Sequence, residues 1–112
     1  MLDFIGIPAG ARIVDFGSGK GLAAITLSRY FAGVTGVEMS PKLVEVARRK
    51  VRKLGLTNVR FGCADAVEYY DGLDQFSHVD MFHPFPASVM QEVMENVRRS
   101  LEGRPRPLVI IY

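Results

Sequence analysis

The sequence predicts an α/β fold, a doubly wound parallel sheet of about five strands. Three observations predict it. Short apolar, β-branched runs alternate with amphipathic helical stretches along the chain. The last run, LVIIY, is apolar throughout, as a strand buried on both faces is, and a glycine-rich loop follows the first run, ARIVDF. Strands that alternate with helices imply right-handed crossovers and a sheet covered on both sides. At 112 residues the chain is large enough for a single core, so residues 1–112 are expected to form one domain.

The first strand is expected at residues 11–16 (ARIVDF), which end at the glycine cluster. Residues 22–31 (LAAITLSRYF) follow as the first helix, with Ala24, Leu27 and Phe31 at helical spacing and Gly33 closing it. Residues 34–39 (VTGVEM) read as the second strand. Ser40 then offers a hydroxyl cap and Pro41 a proline at the first helical position. In that second helix Val44, Ala47, Val51 and Leu54 form the apolar stripe, Arg52 and Lys53 occupy the last turn, and Gly55 ends it. Residues 58–65 (NVRFGCAD) and 75–82 (QFSHVDMF) are the third and fourth strands, the latter less regular. From 87 to 101 a third helix carries Met90, Val93, Met94, Val97 and Leu101 on one face, with Gly103 beyond its end. A stiff RPRP turn leads to a fifth strand, residues 108–112 (LVIIY).

Composition is that of an ordinary globular protein, 48% apolar and 23% charged. No apolar run approaches the ~20 residues of a membrane span, and the N-terminus lacks a signal-peptide pattern, so the expected location is cytoplasmic with no membrane partner. Cys63 is the single cysteine and reads as a small core residue; no metal site is expected. Much of the basic charge sits in Arg48, Arg49, Lys50, Arg52 and Lys53, the solvated face of a helix, which disfavours a nucleic-acid partner.

In open α/β sheets ligands sit at the carboxyl ends of the strands, which directs attention to the first strand-to-helix loop, DFGSGKG, Asp15 to Gly21. Gly17, Gly19 and Gly21 let the backbone turn sharply and approach a ligand closely. A dinucleotide fingerprint would need a third glycine at Leu22, which disfavours NAD; a phosphate loop would need glycine at Val14 and a hydroxyl at Gly21, which disfavours ATP or GTP.

The pattern acid-x-Gly-x-Gly-x-Gly instead resembles the class I S-adenosylmethionine-dependent methyltransferases, a Rossmann-like family, and the resemblance extends across nearly the whole chain. It implies S-adenosyl-L-methionine as cofactor, with Asp15 bearing on its ammonium or organising the loop, and Phe16, Gly17, Ser18, Gly19 and Gly21 around the methionine end. GVEMSP (36–41) matches the family's second signature, which implies that Glu38 accepts both ribose hydroxyls and Met39 lies against the adenine. A carboxylate has two acceptor oxygens for a vicinal diol. GCADA (62–66) matches the third, which implies that Asp65, with Ala66 beside it, accepts from the adenine amino group. Taken alone, Glu38 also reads as a surface acid and Asp65 as a turn cap.

In that family the loop after the fourth strand faces the transferred methyl. Here it reads MFHPFP (81–86), and it resembles most closely the Asn-Pro-Phe segment of a bacterial methyltransferase group of unassigned substrate, with His83 in place of the asparagine. Neutral histidine can accept a hydrogen bond or take a proton, or simply fix a proline-rich loop, so the acceptor stays open. Asp80, at the end of the fourth strand, is the second catalytic candidate; His78 reads as structural, and Phe82 and Phe85 either flank an acceptor or fill the core. The family's sixth and seventh strands have no counterpart, which makes the chain look like a partial catalytic domain. The strand at 108–112 would then be an exposed edge open to self-association. A non-catalytic interaction module with the same fold and an NAD-dependent oxidoreductase are the rival readings.

Overall fold

A computed structural model describes residues 6–81 and 85–111. Five strands form one parallel sheet: β1 (Arg12–Phe16), β2 (Gly33–Glu38), β3 (Val59–Cys63), β4 (His78–Asp80) and β5 (Val109–Ile111). Their order is β3-β2-β1-β4-β5, so the chain builds outward from β1 in one direction, crosses back, and builds in the other. The reversal falls between β1 and β4, where Asp15 is the register partner of Asp80.

Side-chain alternation sorts each strand between two cores. Ile13 and Val34 face the helices α1 (Leu22–Leu27) and α2 (Pro41–Leu54), where they meet Ala24, Leu27, Val44, Ala47 and Phe61. Val14, Phe16, Val37 and Val79 face the other way, toward α3 (Ala87–Gly103) and the short 3-10 turns Ala66–Glu68 and Leu73–Gln75. The sheet is therefore doubly wound, as its apolar runs require. Among the described residues no helix is long and apolar enough to cross a membrane.

Helix α2 has both of its expected ends: Ser40 Oγ accepts from the Leu43 amide, Pro41 opens the first turn, and Gly55 closes it with φ of 68°. Helix α1 is shorter than its spacing suggests. It stops at Leu27, because the Ser28 hydroxyl turns back onto the Ile25 carbonyl and Asn58 Nδ2 takes the carbonyls of Ser28 and Phe31 at 2.9 and 3.1 Å. Gly33 is consequently the first residue of β2 and not a helix end. Gly103 lies inside α3, whose final amide bond runs from Arg104 to the Ser100 carbonyl. Strand β4 is only three residues long, since the 3-10 turn Leu73–Gln75 takes up the start of the expected run. Cys63 is exposed and not core, because it ends the edge strand β3 at the rim of the sheet.

At the opposite end of the sheet from the glycine loop, Arg106 fastens three segments. Its guanidinium donates to the carbonyls of Leu73, Phe76, Ser100 and Arg104 and to Ser100 Oγ, and that hydroxyl in turn donates to Asp74 at 2.7 Å.

Candidate functional site

The carboxyl ends of β1, β2 and β3 open onto a cavity of about 500 Å³, within the roughly 300–1,000 Å³ usual for small-molecule and cofactor sites. Its wall includes Gly17 and Gly19 from the glycine loop, Glu38 and Met39 from the end of β2, and Asp65 and Ala66 from the segment after β3. Three expected contact regions, far apart in sequence, thus converge.

The loop is shaped by main-chain bonds. Gly17 and Ser18 amides both donate to the Val37 carbonyl, at 2.8 and 3.2 Å, and Gly17, Gly19 and Gly21 have φ of 74°, 55° and 86°. Glu38 ties the loop to helix α2: Oε1 accepts from the Gly19 amide at 3.0 Å and Oε2 from the Ser40 amide at 2.9 Å. Each carboxylate oxygen has a second lone pair, so this latch leaves acceptor capacity facing the cavity. Asp65 is the N-cap of the 3-10 turn, with Oδ1 accepting from the Val67 amide at 3.1 Å. It caps a turn and lines the cavity at once.

Four of the expected cofactor residues do not line this space. Phe16 is fully buried against Tyr69 in the α3-side core, because alternation along β1 turns it there. Gly21 is needed for packing: a Cβ there would meet Phe61 Cζ at 2.7 Å and Ala47 Cβ at 2.9 Å. Ser18 is 7% exposed, and its hydroxyl has no hydrogen-bond partner among the described residues. Asp15 is 2% exposed beneath the loop, where burial first, then the charge of Asp80, a hydrogen bond to the Asp80 side chain and the charge of Glu38 push its pKa up to about 8.

Asp80 is completely buried beside Asp15 on the neighbouring strand and does not line the cavity. His83, Phe82 and Pro84 lie outside the described residues. His78 behaves as a core residue: it shares a 2.8 Å hydrogen bond with Ser77, packs edge-on to Phe31 at 4.8 Å, and burial lowers its pKa.

The cavity also has an apolar wall, in which Phe85 is joined by Val37, Leu43, Ala64, Pro86 and Val89, which sequence reasoning missed. Leu43 and Val89 were findable. Each sits in the first turn of its helix, just before the apolar stripe that Val44 and Met90 begin. Phe85 divides its role, half-buried against the α3-side core and lining the cavity.

Comparisons with known proteins point the same way. The protein-L-isoaspartate O-methyltransferase of Thermotoga maritima is 34% identical over 113 residues, 98% of this chain and 34% of that protein. The arginine N(omega)-methyltransferase of Streptomyces achromogenes is 47% identical over 55 residues, 48% of this chain and 15% of that protein. Phosphoethanolamine N-methyltransferase 2 of Haemonchus contortus, solved with S-adenosyl-L-methionine, superposes with a TM-score of 0.76 at 26% identity, over 96% of this chain and 25% of that one. The chain thus spans about a third of the length of its Thermotoga relative and less of the other two. A family model described as a methyltransferase domain matches residues 13–103, from the first strand through the third helix. With its doubly wound sheet and its cavity at the strand ends, this chain belongs to the methyltransferase-domain family.

Proposed function

We propose that the chain is the S-adenosyl-L-methionine-binding core of a methyltransferase acting on a nitrogen or oxygen nucleophile. The observation that carries this reading is the charge of the cavity wall. Glu38 and Asp65 line it, and no lysine, arginine or histidine does among the described residues. A dinucleotide or nucleoside triphosphate brings phosphate charges that such a wall repels, whereas a nucleoside carrying a sulfonium and an ammonium is attracted by it.

In this reading Glu38 faces the ribose diol, Met39 and Leu43 lie against the adenine, Asp65 accepts from its amino group, and Gly17 and Gly19 let the backbone approach the methionine end. Bound S-adenosyl-L-methionine supplies an electrophilic methyl group. What the protein adds is position: it holds the nucleoside at the strand ends and leaves one face for the acceptor. His83, in the segment after β4, is the proposed catalytic residue. Relatives named for transfer to oxygen and to nitrogen keep both acceptor classes open.

Calorimetric titration with S-adenosyl-L-methionine, S-adenosyl-L-homocysteine and NAD tests the reading: the first two are expected to bind and NAD is not. Equal or tighter binding of NAD refutes it. Glu38→Ala should weaken binding thirtyfold to a hundredfold, on the order of 2–3 kcal/mol for charge-assisted bonds. Because Glu38 also latches Gly19 and Ser40, its ribose role is isolated by a 2′-deoxyribose analogue. The parent should prefer the normal cofactor and Glu38→Ala should bind the two almost equally. Cofactor binding without methyl transfer to any acceptor by the full-length protein would assign an interaction module in place of an enzyme.

A further inference from the structure

Asp15, one residue before the end of β1, and Asp80, the last residue of β4, stand at the same height as register partners of the β1–β4 pairing. They are 2% and 0% exposed, and as register partners on neighbouring strands their side chains leave the same face of the sheet. Two ionised carboxylates held side by side away from water repel each other, which favours one proton shared by the pair. Asp15 stands two residues before Gly17, at the foot of the loop that walls the cavity.

The surrounding charges hold the proton in place. Glu38, from β2, acts on Asp15 and adds repulsion. On β4, His78 shares the face of Asp80, and burial keeps its ring neutral. Helix α1 (LAAITL) and strand β5 (VII) bring no charged side chain, and Arg48 of α2 is engaged with the Phe61 carbonyl. Lys20 follows in the loop itself and is exposed.

We propose that Asp15 and Asp80 act as one proton-sharing pair that reads the positive charge of the bound cofactor. The pair keeps its proton while the cavity is empty and gives it to solvent when a cation enters above it, with Asp80 as a positioning residue acting through Asp15. The O–H bond of the pair breaks, the proton goes to buffer, and no bond of the cofactor changes. A cation near a buried carboxyl lowers its pKa by about 1–3 units, so affinity rises with pH until the free pair is itself ionised, near 8. S-adenosyl-L-homocysteine keeps the ammonium but has lost the sulfonium charge, so it drives out less of the proton. High pH then favours cofactor over product.

This proposal rests on the cofactor reading above, and its test separates the two. Titration of the chain with S-adenosyl-L-methionine at pH 7, in buffers of different ionisation enthalpy, should show release of close to one proton. S-adenosyl-L-homocysteine should release less, and Asp80→Asn and Asp15→Asn almost none. The parent's affinity should rise between pH 6 and 8 by up to about tenfold per pH unit, with a flat profile in both variants. Independently of any ligand, infrared spectra of the free parent at pH 7 should contain a protonated-carboxyl band that Asp80→Asn lacks. Binding with pH-independent affinity and no proton release overturns the proposal and leaves the cofactor reading intact. No binding at any pH overturns both, and absence of the band at pH 7 overturns the pair itself.

Discussion

Gly19 and Gly21 stand two places apart in one loop and answer to different demands. Both have positive φ, but a Cβ on Gly19 would meet nothing within 4 Å, whereas one on Gly21 would strike Phe61 and Ala47. Gly19→Val should therefore cost about 1–3 kcal/mol of backbone strain, keep a native circular dichroism spectrum, and abolish cofactor binding by filling the cavity. Gly21→Val adds overpacking to the same strain, about 1–3 kcal/mol more, and should unfold a large fraction of the chain at room temperature. Equal effects of the two on folding would refute the distinction. The sequence marks all three glycines alike because Phe61 and Ala47, which tell Gly21 from Gly19, come from β3 and α2. The same holds for Glu38. Its place at the end of β2 is legible from the GVEMSP signature, but its bonds to Gly19 and Ser40 are visible only once the loop and helix are folded beside it.

Elements with strong local punctuation were legible, and those ended by distant contacts were not. Helix α2 carries its own cap, proline and terminal glycine, and the structure uses all three. Helix α1 ends where Asn58, which follows α2 in the chain, takes the carbonyls of Ser28 and Phe31 just beyond it. The apolar first-turn residues Leu43 and Val89 were unread because a core stripe and a cavity wall look the same in a periodicity. Strand β5 was legible as a run of β-branched residues. It ends the described sheet with Val109 and Ile110 50% and 37% exposed. We propose that this edge pairs with a second copy of the chain. Light scattering should give a mass that climbs above 12.4 kDa with concentration, and Ile110→Lys should bring it back to the monomer. A parent that stays monomeric at high concentration argues against pairing.

For the molecule as a whole, the buried carboxyl pair makes stability depend on pH in an unusual direction. The pKa of Asp15 rises from an ordinary 3.8 to about 8 on folding. Between those values the folded chain binds more protons than the unfolded one, so its stability falls as pH rises. Below pH 4 the contribution is fully present, and above 8 it is gone. Calorimetric melting of the free chain should give a lower midpoint at pH 8 than at pH 5, with a much smaller difference in Asp15→Asn. A midpoint that climbs over this interval in the parent would contradict a raised Asp15 pKa. Acids at three strand ends were readable from sequence. That Asp15 and Asp80 are buried side by side was not, since it depends on β1 and β4 becoming neighbours across the reversal of strand order.

Arg106 bears on how fast the fold is made and lost. Its acceptors sit on the 3-10 turn before β4, on the last turns of α3 and on the chain leaving them, so the guanidinium fork closes only after those pieces have met. Such a contact belongs to the downhill side of the folding barrier, and its loss falls on escape from the native state. Arg106→Lys keeps the charge and loses the fork. In stopped-flow denaturant jumps it should leave the refolding rate within about twofold and raise the unfolding rate by roughly an order of magnitude. If refolding slows by as much as unfolding speeds up, the fork is already closed at the barrier. The end of the sheet remote from the cavity would then be where folding begins.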